Sequence, residues 1–306
     1  YLMTFDFKNL PPLSLFTNEA SGLILSYRLQ EPESQNSRTQ TLVFLHGLNG
    51  SSKSWYFQFA YFKTHRIISI DAPGFGASSV RKEGMEEFSN EIVDFLEYLK
   101  VKSTILIGNS MGGMLSQILA HKLADKCKGL FLSCTYKGKA SHQTEPLAKN
   151  YEQRISERNK LNDRDFGALR VDRMLAGPLQ DDIREFLTSI AGEIRSEGIE
   201  WGARAIQYLD TSPFLKKLNN PVLILSGEND IVVKPDALEA LVASLPTAHH
   251  KKMSNVGHAP YCENSSEFNQ ILDSFIIQNY FKKNFRIKKK VINFNIKKIY
   301  HQNQLS

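Results

Sequence analysis

Gly108-Asn109-Ser110-Met111-Gly112 narrows what this chain can fold into more than any other stretch. It follows an apolar, β-branched run, Thr104-Ile105-Leu106-Ile107, and opens a helical pattern that extends from Met111 to Lys122. A strand that turns abruptly into a helix leaves its pivot residue on a sharp bend. Small residues must flank that pivot, because a Cβ there would strike the neighbouring strand or helix. The pivot here is a serine, whose Oγ would project from the sheet edge near the positive end of a helix dipole. The pattern G-x-S-x-G also arises by chance in loops, so it is the strand before and the helix after that make Ser110 a candidate nucleophile.

Elsewhere short apolar runs alternate with helical patterns, the mark of a mostly parallel sheet covered on both faces. The strands expected are Leu23–Leu29, Thr41–Leu45, Arg66–Ile70, Thr104–Ile107, Gly129–Ser133, Val222–Ser226 and His249–Met253. Pro11–Phe16 is a further strand, placed at an edge by Pro11 and Pro12. Met85–Leu99 carries an apolar stripe at 85, 88, 92, 95, 96 and 99, which is helical spacing, and Phe268–Ile277 carries a similar one. The alternation stops between about 136 and 213. That stretch has many charges, no strand-like run, and helical segments at Asn150–Asn159, Asp181–Arg195 and Trp201–Leu209. It reads as a helical insertion lying over the strand ends where Ser110 emerges, with a lining that sets substrate choice. The expected organisation is therefore a core from 1 to 135, a helical lid from 136 to 213, the rest of the core from 214 to 280, and a tail from 281 to 306.

Composition excludes several classes. The 306 residues are 42% hydrophobic and 23% charged, enough for a large core. No apolar run reaches about 18 residues, so no transmembrane helix is expected. The first residues lack a basic region followed by an apolar core, so no secretory signal is visible. Cys127, Cys134 and Cys262 are odd in number and match no disulfide or zinc spacing, which suits a reducing cytoplasm and a protein without a metal. The formal net charge of +6 is carried by the tail: Lys282 to Ser306 holds eight basic residues and no acidic one. The remainder is slightly acidic and gives no reason to expect a nucleic-acid partner. The tail alternates basic and apolar residues, a pattern that can bind membrane surfaces; the stronger reading is a poorly packed, disordered extension outside the core.

Three other signals fall at strand ends. His46-Gly47-Leu48-Asn49-Gly50 follows the strand Thr41–Leu45; the backbone N–H of Leu48, with that of Met111 after the serine, is placed to hold an oxyanion. The His46 side chain reads as a satisfied buried histidine. Ser226-Gly227-Glu228-Asn229-Asp230 ends the strand Val222–Ser226, and Asp230, with its shorter side chain, suits orienting an imidazole better than Glu228. Gly257-His258-Ala259-Pro260 follows the last strand. Of the eight histidines, only His258 is both on a loop and at a strand's carboxyl end.

The chain order Ser110, Asp230, His258 resembles that of the α/β-hydrolase superfamily, and the resemblance covers roughly residues 20–280. It implies an eight-stranded, mostly parallel sheet, a cofactor-free serine hydrolase, and acyl transfer with His258 as the base and Asp230 as its orienting acid. Ile70-Asp71-Ala72-Pro73-Gly74-Phe75-Gly76-Ala77-Ser78 is similar to that superfamily's turn after the fourth strand, which implies a structural role for Asp71, Gly74 and Gly76. Serine rather than aspartate at 110 separates the chain from haloalkane dehalogenases and epoxide hydrolases.

Within the superfamily the chain looks most like 3-oxoadipate enol-lactonases and C–C bond hydrolases. The pieces are Gly108-Asn109-Ser110-Met111-Gly112-Gly113, Asp210-Thr211-Ser212-Pro213-Phe214-Leu215 and Gly257-His258-Ala259-Pro260-Tyr261-Cys262-Glu263. The C–C hydrolases carry a Trp shortly after the histidine, where this chain has Ala259-Pro260-Tyr261. The expected substrate is a small carboxylic ester or lactone; the alternatives are a C–C hydrolase or perhydrolase on the same residues, or a ligand-binding protein that has kept the fold. Arg154, Arg158, Arg170 and Arg173 could clamp a substrate carboxylate, though the plainer expectation is that most are solvated faces or pair with Glu152, Glu157 and Asp172. Trp55 and Phe57 are divided between core and acyl pocket, and nothing marks Cys262 as a reactive thiol.

Overall fold

The computed structural model describes residues 5–175 and 177–279; the basic tail lies outside the described residues. Among them eight strands form one sheet: β1 (Leu13–Thr17), β2 (Ile24–Gln30), β3 (Thr41–Leu45), β4 (Arg66–Ile70), β5 (Thr104–Asn109), β6 (Cys127–Ser133), β7 (Val222–Gly227) and β8 (His249–Met253). Their order across the sheet is β1-β2-β4-β3-β5-β6-β7-β8. β2 runs antiparallel to both its neighbours, and all pairs from β4 to β8 are parallel.

The near-continuous apolar runs of the central strands follow from burial on both faces. Successive residues go to opposite sides: Val43, Leu106, Leu130 and Leu132 enter one apolar cluster, while Leu42, Phe44, Ile105, Ile107 and Phe131 enter the other. Each such side chain taken out of water contributes about 1.5–3 kcal/mol. After α1 (Tyr56–Tyr61), the first cluster is covered by α2 (Met85–Tyr98), through Phe88, Ile92 and Phe95, and by α3 (Met111–Leu123), through Met114 and Ile118. The second is covered by Phe268, Leu272 and Phe275 of the helix at 265–279. At the edges the rule relaxes. β8 is His-His-Lys-Lys-Met with only Met253 buried, and its lysines discourage pairing with another chain.

Among the described residues, four helices of 12 or 13 residues stand between β6 and β7: α4 (Lys149–Lys160), α5 (Asp163–Met174), α6 (Asp181–Gly192) and α7 (Ser196–Tyr208). α5 and α6 lie back to back, because Gly167 and Gly192 leave room for the other helix's backbone: a Cβ on either would meet the carbonyl of Thr188 or of Asp163.

Asp71, fully buried after β4, accepts from the Ser52 N–H at 2.6 Å and from the hydroxyls of Ser26 at 2.7 Å and Ser52 at 3.1 Å. It ties β2, β4 and the loop after β3 together.

Candidate active site

Ser110 is the residue on which β5 stops and α3 begins. Its backbone, at φ 54° and ψ −117°, sits in a region that a non-glycine residue rarely occupies and that costs about 1–3 kcal/mol. Its neighbours hold it there. The Ser110 N–H donates to the Ser133 carbonyl at 2.9 Å, and its carbonyl accepts from the Thr135 hydroxyl at 2.6 Å and the Gly113 N–H at 2.9 Å. Glycine is required on both sides. A Cβ on Gly112 would lie 2.7 Å from the His46 carbonyl and closer still to that of Leu45, and one on Gly108 would strike the Gly112 carbonyl.

Asp230 and His258 come from loops zipped together beyond β7 and β8. Asn229 N–H donates to the Val256 carbonyl at 2.8 Å, and Glu228 N–H to that of Met253 at 2.9 Å. His258 Nδ1 lies 2.9 Å from Asp230 Oδ2, with both side chains about 5% exposed. Facing a carboxylate, Nδ1 carries the proton, which leaves the Nε2 lone pair free. Asp230 Oδ1 accepts from the N–H groups of Val232 at 2.8 Å and Val233 at 3.1 Å. Burial alone would raise the Asp230 carboxyl; the His258 imidazole and those two N–H groups outweigh it and hold the group below the usual carboxylate range.

Two residues that sequence reasoning did not single out position His258. The Glu263 carboxylate accepts from the N–H groups on both sides of the histidine, Gly257 at 2.8 Å and Ala259 at 2.8 Å. Asn109, beside the serine, donates from Nδ2 to the His258 carbonyl at 3.4 Å and accepts the Ser133 hydroxyl at 2.9 Å. In the sequence Glu263 shows only as an acid five residues after a loop histidine, and nothing there marks its backbone partners.

Ser110 and His258 line one cavity of about 340 Å³, with Gly47, Leu48 and Asn49 on one side and α4, α5 and Tyr136 on the other. Among the described residues neither the Leu48 N–H nor the Met111 N–H donates to any acceptor. Leu48 faces the cavity. The Met111 side chain turns away into the core toward α7, its sulfur 3.0 Å from where a Cβ on Gly202 would stand, and Met111 is not among the residues that line the cavity.

His46 is a satisfied buried histidine: Nε2 accepts the Ala72 N–H at 3.0 Å, so Nδ1 is the donor to the Gly47 carbonyl at 2.8 Å, and burial lowers its pKa. Trp55 is fully buried against Phe44 and Tyr261 and belongs to the core, and Phe57 packs with Phe186 and Tyr56. Cys262 is buried, and burial pushes its thiol well up. Cys134, Asp230 and His258 bring ligand atoms within 4.8 Å of one another. Burial pushes the Cys134 thiol up too, so it stays protonated, and Asp230 and His258 bind each other. That donor set does not suit a resident metal.

The expected pairing holds for Glu157 and not for Asp172. Arg170 and Arg173 share Glu157, the latter at 2.9 Å; Arg158 pairs with Asp163 at 2.6 Å, and Asp172 goes to Arg184. Arg154 pairs with no carboxylate among the described residues. Its Nη2 donates to the Leu48 carbonyl at 2.9 Å and to Asn49 Oδ1.

Residues 40–265 match the family model described as alpha/beta hydrolase fold. The uncharacterized hydrolase YugF of Bacillus subtilis (strain 168) is 28% identical over 248 residues, which are 73% of this chain and 85% of that protein. The 2-hydroxy-6-oxononadienedioate/2-hydroxy-6-oxononatrienedioate hydrolase of Cupriavidus pinatubonensis (strain JMP 134 / LMG 1197) is 24% identical over 268 residues, 78% of this chain and 86% of that one. The crystal structure of the enol-lactonase from Burkholderia xenovorans LB400 superposes with a TM-score of 0.73 at 19% identity, covering 87% of this chain and 100% of that chain. This last likeness is one of fold. No helix among the described residues is long and apolar enough to cross a membrane.

Proposed function

The chain belongs to the alpha/beta-hydrolase family, and from that premise we propose that it hydrolyses small carboxylic esters or lactones through an acyl-enzyme on Ser110. The observation that carries this reading is a serine on a strained strand-to-helix pivot, sharing one cavity with a histidine that is bonded through Nδ1 to a buried carboxylate.

His258 Nε2 takes the Ser110 proton as Oγ attacks the carbonyl carbon. Asp230 holds the imidazole in the tautomer that exposes Nε2 and stabilises the imidazolium as it forms. The Leu48 and Met111 N–H groups bind the oxygen of the tetrahedral intermediate, and each such donor contributes on the order of 3 kcal/mol to the transition state. That neither donates to an acceptor among the described residues supports this assignment. Collapse of the intermediate expels the alcohol, protonated by His258. Water, deprotonated by the same nitrogen, then releases the acid and restores Ser110. The helices between β6 and β7 act as a lid whose inner surface selects the substrate.

A panel of p-nitrophenyl esters and simple lactones tests the reading. Turnover of short esters by the wild type, absent in Ser110→Ala, is the expected result. Equal turnover by both proteins contradicts it, and cleavage of vinylogous 1,5-diketones in place of esters would move the chemistry to C–C bonds.

A further inference from the structure

The lining of the cavity above Ser110 is charged in one sense only. It includes Lys139, Arg154, Arg170 and Arg173, and among the described residues it includes no aspartate or glutamate. One carboxylate, Glu157, serves both Arg170 and Arg173. Among the described residues the other two cations pair with none. Lys139, exposed at the cavity mouth, lies with Nζ 4.6 Å above the Tyr151 ring. Arg154 is only 9% exposed; its Nη2 is used on Leu48 and Asn49, its Nε has no acceptor, and Nη1 donates to no described residue.

A buried guanidinium without an anion is costly, and proteins ordinarily pair it. Burial, and the positive charge of Arg170 beside it, push Arg154 down from its ordinary value. A guanidinium still keeps its proton at neutral pH, so the charge remains and wants a partner. The phenols of Tyr136 and Tyr151, both pushed up mainly by burial, stay neutral at that pH and bring no competing negative charge to the lining.

We propose that this cluster, centred on Arg154 and completed by Lys139, is a binding site for a substrate carboxylate. On the ester or lactone hydrolase reading, on which this rests, the substrate class becomes an ester or lactone bearing a second, ionised acid group. Arg154 grips the carbonyl of Leu48, the residue whose N–H is the oxyanion donor. Both groups therefore meet at the same residue, which places the free carboxylate within a few bonds of the carbonyl that Ser110 attacks. The planar guanidinium fork fits a carboxylate's two oxygens. A purely structural Arg154, bracing the Leu48-Asn49 loop, is the competing account.

The test compares the mono-p-nitrophenyl ester of glutaric acid with its methyl-capped, uncharged counterpart. Wild-type protein should favour the charged ester by about 10- to 100-fold in kcat/KM, mostly through KM, as expected for a charged hydrogen bond formed equally in ground and transition states. In Arg154→Gln the preference falls to near one, Arg154→Lys recovers part of it, and Lys139→Gln loses a smaller share. A wild type without the preference, or an Arg154→Gln that slows both esters alike and keeps their ratio, overturns the proposal. Binding is read separately in Ser110→Ala. Glutarate should raise its Tm by about 2–5 °C, with no rise from uncharged glutaramide or in the Ser110→Ala, Arg154→Gln double variant. If neither ester turns over but glutarate still binds through Arg154, the hydrolase reading fails and the anion site stands. If esters turn over and glutarate leaves Tm unmoved, the anion site fails alone.

Discussion

The cavity over Ser110 has two walls, and they are built on opposite principles. The wall of strand-end loops carries Ser110, His258 and the Leu48 N–H; backbone groups, or side chains bonded to backbone, hold it almost throughout. The wall of helices α4 and α5 is held by side chains, with Glu157 between two arginines and Arg154 reaching to the opposite loop. Geometry fixed by backbone leaves little room for substitution. A wall fixed by ion pairs can change residues such as Glu157 with little disturbance of the other; Arg154, bonded across to Leu48, is the link between them. Such a division lets one arrangement of serine, acid and histidine serve many substrates.

Perturbing the walls separately should break this contrast if it is false. On the loop wall, Asp230→Asn is expected to cost about 10⁴-fold in kcat while leaving the fold intact, because the amide stabilises the wrong imidazole tautomer. Its stability also carries a sign. The Asp230 pKa is depressed on folding, so its contribution is present above the unfolded carboxyl value of about 3.9 and is lost as pH falls through the lower, folded value. Urea titrations should find the wild-type advantage over Asp230→Asn shrinking as pH drops below about 4; an advantage that grows there contradicts the assignment.

Next in size, Gly112→Ala should destabilise by about 3 kcal/mol in the same assay, since the new Cβ meets the Leu45 and His46 carbonyls rather than a side chain that can turn aside. A loss under about 0.5 kcal/mol would show that the elbow is looser than drawn. On the helical wall, Glu157→Gln removes the carboxylate from Arg170, whose side chain is 6% exposed, and should cost about 2 kcal/mol, reduced from the fully buried case because Arg173 is half exposed. Its kcat on a neutral ester should change less than about 3-fold. A loss comparable with that of Asp230→Asn would mean the walls are not independent.

The same contrast decides what could be read from the sequence. The loop wall was legible because its demands fall on residue type at fixed places: glycines that nothing else can replace around Ser110, and polar residues just past the strand ends at Asp230 and His258. β5, β6 and β7 were legible because both their faces are buried. The helical wall was legible only as helices, and α5 was not marked at all. Its inward residues are Phe166, Gly167, Arg170, Val171 and Met174, and α4 buries only Tyr151 and Arg154. An arginine on an inner face reads as solvent-facing, so the apolar stripe was broken where the cavity needed charge. The pairing was hidden for the same reason: Glu157 was visible as an acid, but its choice of Arg170 and Arg173 over Arg154 depends on helix packing. Glu263 was missed because its partners are backbone N–H groups, which carry no signature in sequence.

The central claim is that Ser110 is an activated nucleophile. Intact-mass analysis after treatment with a fluorophosphonate measures this directly. The wild type should gain the mass of one phosphonyl group, located on the peptide containing Ser110, with labelling greatly slowed in His258→Ala and absent in Ser110→Ala. Equal labelling of wild type and Ser110→Ala, or a wild type that takes up no label, would contradict it.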